Sequence, residues 1–259
     1  MTNPERKKTI AGLLFILCAI TWILTFWYKD KLPPPSFYAG RDFSAPVQTP
    51  SENEPFEINT NEQRYLITPL FFYDLTGVVV SLSNADGFTN IWHHRRWKDF
   101  INVRDLCVIW DPNVTSGIYQ NLEFSSDSWT CWVTWPDRET SHRFDAYALS
   151  NNHLLTTDLI VKKALLSANI GDVVSAKGML VNYENLSNGM KRSTSTTRTD
   201  GGQGACETIY LTDFHVIAKA HPTLRILNKF SFWGMWLTLL EYFYFVFTIP
   251  HRARGITPK

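Results

Sequence analysis

Two stretches of the chain carry apolar positions without the polar alternation that a soluble element needs. From Thr9 to Tyr28 no charged residue interrupts TIAGLLFILCAITWILTFWY, and a second run, FSFWGMWLTLLEYFYFVFTIP, extends from Phe230 to Pro250. At about 1.5 Å rise per residue, each is long enough as a helix to cover roughly the 30 Å hydrocarbon core of a bilayer. Aromatic rings prefer the headgroup level, and Trp22, Phe26, Trp27 and Tyr28 supply them at the far end of the first run. Arg6, Lys7 and Lys8 precede that run, while His251, Arg252, Arg254 and Lys259 follow the second. Cationic flanks stay on the cytoplasmic side. The pattern predicts cytoplasmic residues 1–8, a transmembrane helix over 9–28, an external region, a second transmembrane helix over 230–250 and a cytoplasmic tail, 251–259. A cleaved signal peptide has a shorter apolar core ending at a small-x-small site. Here bulky residues run to the end, and Leu17 before Cys18 is too large for lipoprotein-type processing.

Glu241 falls in mid-span. A carboxylate at that depth costs about 2.5 kcal/mol or more unless paired or protonated. The first span offers only Thr21 and Thr25 as polar partners at comparable depth, so the expected contact is a helix of another subunit or a second copy of the chain.

Between the spans the pattern becomes that of a folded domain. Residues 29–62 open with Pro33, Pro34 and Pro35 and continue small or polar, which predicts an extended external spacer, with packing of parts of it on the domain or a partner through Phe37, Tyr38 and Phe43 as the alternative. Residues 63–220 then alternate short apolar runs with turn signals. Leu66–Tyr73 and Leu75–Ser83 read as strands, Pro69 favouring a sheet edge. Arg104–Trp110 is a third apolar run, and Ser128–Trp135 places Trp129, Cys131, Val133 and Trp135 on one face. A helix follows, capped by Thr157 or Asp158, with an apolar stripe of Ile160, Val161, Ala164, Leu165 and Ala168, and Gly171 as its stop. Asp172–Tyr183 and Thr208–Ala218 close the series as long strands. If Leu66–Ser83 is one bent strand, the order is three strands, a helix and two strands. That predicts a mainly β, α+β fold: an OB-like five-stranded barrel with one helix, flanked by the two transmembrane helices. Gly77 and Gly178 would allow its sharp bends. A generic α+β sandwich is the competing expectation.

Composition narrows the field little. The 259 residues carry a formal net charge of +1, which removes any whole-chain argument for nucleic-acid binding. Aromatic content is 14 %, but much of it lies in the two spans, so it does not all measure a core. Cys107, Cys131 and Cys206 lie in the external region, where an oxidising compartment permits one disulfide and leaves one thiol. In the barrel arrangement strands three and five are neighbours, which favours Cys131 with Cys206 among the three pairings. Their spacing fits no zinc motif, and no cofactor or metal is expected.

Two motifs carry a resemblance. One is SNNHLL, Ser150–Leu155, leading through the helix into GDVVSAKGMLV; the other is RSTSTTRTDGGQGACETIYL, Arg192–Leu211. Together they resemble a family of bacterial membrane-anchored proteins of unknown function, which carries S-N-x-H-L, G-D-x-V-x-x-x-G-x-L and S-x-x-R-x-D-x-G-x-G-A-C-E elements. A fainter likeness, in DLCVIW, extends to the earlier strands. The resemblance implies a bacterial envelope setting and no particular chemistry. Gly201 stands where that family often has Thr, so no role can rest on a hydroxyl there.

Three constellations are candidates for chemistry. The glycine-rich stretch presents Arg198 to an anion and Asp200 to a hydroxyl or cation, with Glu207 beyond; the plainer reading is an Arg198–Asp200 ion pair inside a long turn. The glycines match no phosphate-binding loop, since no Gly-Lys-Ser/Thr follows. His153, with Ser150 and Asp200, has the residue types of a hydrolase triad, yet no G-x-S-x-G is present, and a histidine bonding the start of the helix is the plainer reading. His93, His94, Arg95 and Arg96, flanked by Trp92 and Trp97, form a basic loop suited to an anionic headgroup or an acidic partner surface, and poor as a metal site.

Two functions compete. The first is an inner-membrane envelope protein, not an enzyme, whose periplasmic domain binds a partner or scaffolds a complex with other membrane subunits or copies of itself; nucleic acid is not an expected partner. The second is a membrane-tethered enzyme or small-ligand sensor built on His153, Arg198, Asp200 and Glu207. Convergence of those four groups on one concave pocket would favour the second.

Overall fold

A computed structural model describes residues 4–85, 96–127, 130–200 and 206–249. The chain divides into two units: the terminal segments up to Lys31 and from His221, and the intervening Leu32–Ala220.

The terminal unit is a pair of long helices, α1 (Pro4–Tyr28) and α6 (Pro222–Thr248). Both are long and apolar enough to cross a membrane, and most of their surface is exposed. The second starts eight residues before the expected Phe230, because Pro222 supplies a helix start and TLRILNK continues the turn. The helices run antiparallel: Asn228 Nδ2 donates to Thr25 Oγ1 (2.9 Å) and Trp22 O (3.1 Å), Gly234 meets Cys18, and Gly12 meets Tyr242. This register corrects one expectation. Thr21 and Thr25 lie at the Asn228 end of the pair, far from Glu241, which is exposed on α6.

The central unit is a mixed α+β structure dominated by one large sheet. Its strands are β1 (Val47–Pro50), β2 (Phe56–Thr60), β3 (Gln63–Asn84), β4 (Asn102–Ile109), β7 (Leu149–Leu155), β8 (Val173–Asn185), β9 (Met190–Arg192) and β10 (Glu207–Ala218); β5 (Glu123–Ser126) and β6 (Cys131–Thr134) form a separate two-stranded sheet. The expected long bent strand is β3. Its first part pairs with β8 and its last part with β4, with register shifts at Pro69/Phe71 and Val79/Ser81. β4 pairs with β7, β7 runs parallel to β10, and β10 pairs with β8. Gly178 sits where β8 and β10 press together: a Cβ there would meet Tyr210 O at 2.2 Å. Close strand approach is thus what requires this glycine.

The strand that follows β4 in the main sheet, third of the five expected for the barrel, is β7 and not Ser128–Trp135. The described part of that segment, β6, pairs only with β5. The pairing of cysteines changes with it. Cys107 on β4 joins Cys131, Cα atoms 5.8 Å apart, and Cys206 is in no disulfide. Neighbouring third and fifth strands do not bring Cys131 to Cys206, because Cys131 is on neither.

The expected spacer is part of the fold. Tyr38 and Phe43 are buried and stack edge-on, Tyr119 Oη donates to Pro33 O (2.7 Å), and β1 and β2 pair with β3. Three prolines and polar neighbours suggest a spacer, but these aromatics have apolar area to bury.

The helix between β7 and β8, α5 (Leu159–Ser167), starts where expected: Asp158 Oδ1 accepts from Ile160 N (2.7 Å) and Val161 N (3.0 Å). Val161, Leu165 and Ala168 are buried, whereas Ile160, placed in the stripe, is 81 % exposed. The helix ends at Ser167, before Gly171, and buried Arg104 takes its last carbonyls: Nη1 donates to Leu165 O (3.1 Å) and Ala168 O (2.7 Å).

Candidate functional site

β7 carries buried polar residues on both faces of the sheet, a pattern that hydrophobic periodicity does not mark as a strand. On one face Asn152 donates to Leu106 O (3.1 Å) and to Ser150 Oγ (2.8 Å). Side chains alternate along a strand, so Asn151 and His153 point the other way. His153 stands directly across from Asp105 on β4, and its Nδ1 lies 2.9 Å from Asp105 Oδ1 with both side chains buried. Asn151 stands across from Cys107 and donates through Nδ2 to Cys206 Sγ (3.4 Å).

A cavity of about 980 Å³ is lined by Asn151 and His153 from this face and by Ser150 and Glu207, which share the register of Asn152, from the other. His153, Arg198, Asp200 and Glu207, the four residues singled out in sequence, all line it, together with Arg192, Asn151 and Cys206. Trp132, Tyr147 and Leu149 give it an apolar side, the two rings being 57 % and 59 % exposed.

Each polar group has a distinct setting. Arg198 does not pair with Asp200. Its guanidinium lies against the rings of Trp110 (5.1 Å) and Tyr73 (5.4 Å), and its Nη1 makes no hydrogen bond among the described residues. Asp200 instead accepts from Ser195 Oγ (2.6 Å). Burial pushes the Glu207 carboxyl up to about 8, against the pull of the Arg198 charge, so the group is largely a neutral acid at pH 7; its Oε2 has no hydrogen-bond partner among the described residues. For His153, burial disfavours the imidazolium, but the charge and hydrogen bond of Asp105 and a hydrogen bond to Cys206 prevail and raise it to about 9. Beside Arg192, Tyr183 Oη donates to Asp99 Oδ2 (2.7 Å); burial raises the Asp99 carboxyl, opposed by that hydrogen bond and by Arg192. Arg192 lies in the electrostatic reach of Tyr183, Asp105, Asp99 and Cys206.

Other expectations fare differently. Ser150 is tied to Asn152 on the opposite face from His153, so Ser150, His153 and Asp200 form no triad. His153 is a strand residue and does not bond the helix start. His93, His94 and Arg95 lie outside the described residues, as do Gly201, Gly202 and Gly204; Arg96 is exposed and lines no part of the cavity. Asp105, Arg192 and Asn151 are the site residues that sequence reasoning passed over. Asp105 begins the DLCVIW run and was counted as strand; only its register against the SNNHLL motif gives it a role. Among the described residues no group of three metal-ligating side chains is present.

No known family model, curated protein or solved structure matches the chain.

Proposed function

We propose that the central unit is an OB-type barrel, anchored by α1 and α6 in a bacterial inner membrane with both termini cytoplasmic, and that it binds a small amphiphilic molecule with an anionic head. The circuit of pairings β3–β4–β7–β10–β8–β3 supports the barrel, as does the position of α5 between the third and fourth of its strands. The cationic flanks of the spans and the motif resemblance support the compartment. A disulfide in the central unit fits an oxidising one.

The observation that carries the binding reading is the convergence of His153, Arg198, Asp200 and Glu207 on one cavity. At about 980 Å³ the cavity has the size of a small-molecule site. Arg198 offers an unused N–H, and protonated Glu207 can donate a second hydrogen bond to an anion. His153 adds positive charge below about pH 9. Trp132, Tyr147 and Leu149 suit an acyl or aromatic body.

Thermal melting of the full chain in mild detergent tests this. Octyl phosphate and decanoate should raise the midpoint, and octyltrimethylammonium should not. Arg198→Met should abolish the rise. A rise that survives Arg198→Met, or none with any anion, would refute the site.

Exposure of Glu241 on α6 favours an additional reading, a membrane partner that covers it. Glu241→Ala should then weaken assembly more than expression; unchanged complex size on native gels would remove that role.

A further inference from the structure

We propose that Cys206 is a nucleophile that takes an acyl group from an ester or thioester bound in the cavity, with His153 as its base and Asp105 as the positioning residue that orients the imidazole. The proposal rests on the ligand-binding reading of the same cavity and adds a reaction to it.

The register builds the constellation. Asp105 and His153 are partners across β4 and β7, as are Cys107 and Asn151. Across β7 and β10 Glu207 faces Asn152, so Cys206, one residue earlier, falls beside Asn151. Partners across neighbouring strands share a face. Asp105, Asn151, His153 and Cys206 therefore stand together on one face, and Asn151, His153 and Cys206 of them line the cavity. Nδ1 of His153 lies 2.9 Å from Asp105 Oδ1, and Cys206 is the other side chain that hydrogen-bonds the imidazole. A nucleophile, a base within hydrogen-bond reach and a third group that orients the base are the geometric requirements for an activated thiol. Cys107 and Cys131 are locked in their disulfide, so Cys206 is the cysteine of the central unit that keeps its thiol.

The surroundings suit acyl transfer. Asn151 Nδ2 is 3.4 Å from Sγ, and Arg198 lines the same cavity, its Nη1 making no hydrogen bond among the described residues. Both can steady negative charge on a tetrahedral oxygen. In the first step the Cys206 S–C bond forms and the thiol proton passes to His153. Collapse breaks the bond to the leaving alcohol or thiol, which takes that proton. In the second step water gives its proton to His153 and attacks the acyl carbon; the C–S bond breaks and the proton returns to Cys206. The balance is ester plus water to carboxylic acid plus alcohol.

The test uses the full chain in mild detergent with p-nitrophenyl butyrate at pH 9.5, where His153, raised to about 9, is the neutral base, following p-nitrophenolate release and the mass of the peptide that contains Cys206. Butyryl-Cys206 should form about 100-fold faster than butyryl-glutathione under the same conditions, the scale of one positioned acid–base group. Cys206→Ser should abolish the adduct, and His153→Gln should slow it by a similar factor with the Cys107–Cys131 disulfide intact. In Asp105→Asn the pH midpoint of acylation should move down, because the imidazolium loses its counter-charge; a purely structural role leaves it in place. Acylation no faster than glutathione, or undiminished in a folded His153→Gln, overturns the proposal. The glutathione comparison needs no variant, so it decides even where a substitution prevents folding. If acylation fails while octyl phosphate still protects the chain through Arg198, the chemistry falls and the binding reading stands.

Discussion

The most exposed consequence of the site is its response to pH. His153 is raised from 6.5 to about 9 in the fold. Its imidazolium therefore contributes stability that is fully present below pH 6.5 and lost as pH rises through about 9. At about 1.36 kcal/mol per pH unit, that gap corresponds to roughly 3 kcal/mol. Glu207 acts in the same direction by a different route. Its carboxyl is held protonated up to about 8 in the fold and ionises near 4.5 when exposed, so stability falls across that interval too. Thermal melting of the full chain in mild detergent, followed by tryptophan emission, should show the midpoint of the central unit falling between pH 6 and pH 9. For a unit of this size the His153 contribution alone gives a fall of roughly 6–12 °C. Asp105→Asn should flatten the part of the profile above pH 6.5, since it removes the carboxylate that holds the proton on His153. A midpoint that stays level or rises from pH 6 to pH 9 in the unmutated chain would refute the electrostatic account.

Three further outcomes follow from the fold. Replacing both Cys107 and Cys131 with Ala opens a loop spanning 24 residues and should cost about 3 kcal/mol, read as a lower melting midpoint; an unchanged midpoint would mean that the bond is not formed in the mature protein. Gly178→Ala forces a methyl against Tyr210 O and should destabilise by about 2 kcal/mol or abolish folding, whereas Lys177→Ala, exposed beside it, should do little; equal melting of the two variants would contradict the close β8–β10 packing. In intact cells an impermeant thiol reagent should label Ser51→Cys and spare Pro258→Cys, and labelling at Pro258 would overturn the orientation.

The parts of this fold legible in sequence are those whose burial is apolar. β3, β4, β8 and β10 announce themselves through runs such as LTGVVVSLS and DLCVIW, and α5 through its capped stripe. The terminal helices are plainer still, since no charged residue breaks Thr9–Tyr28. β7 escapes because Ser150, Asn151, Asn152 and His153 are buried through hydrogen bonds and a charge pair, which hydrophobic periodicity does not register. That omission moved the third strand to Ser128–Trp135 and carried the cysteine pairing with it. The four cavity-lining residues were legible because glycine-rich and polar motifs surround them. Their partners Asp105 and Arg192 were not, since each lies in a strand and acquires meaning only from what stands across from it. Stacking of Arg198 on Trp110 and Tyr73 likewise depends on three segments meeting, and local spacing favoured a pair with Asp200 instead.

The claim on which the rest depends is that one cavity gathers Arg198, Glu207 and His153 around an anionic head. A diffraction structure of the chain soaked with a bromine-tagged alkyl carboxylate locates that head directly. The account predicts the carboxylate within about 3 Å of Arg198 Nη1 and the anomalous bromine signal beside Trp132 and Tyr147. Bromine found only along α1 and α6, with the cavity empty at saturating ligand, would contradict it.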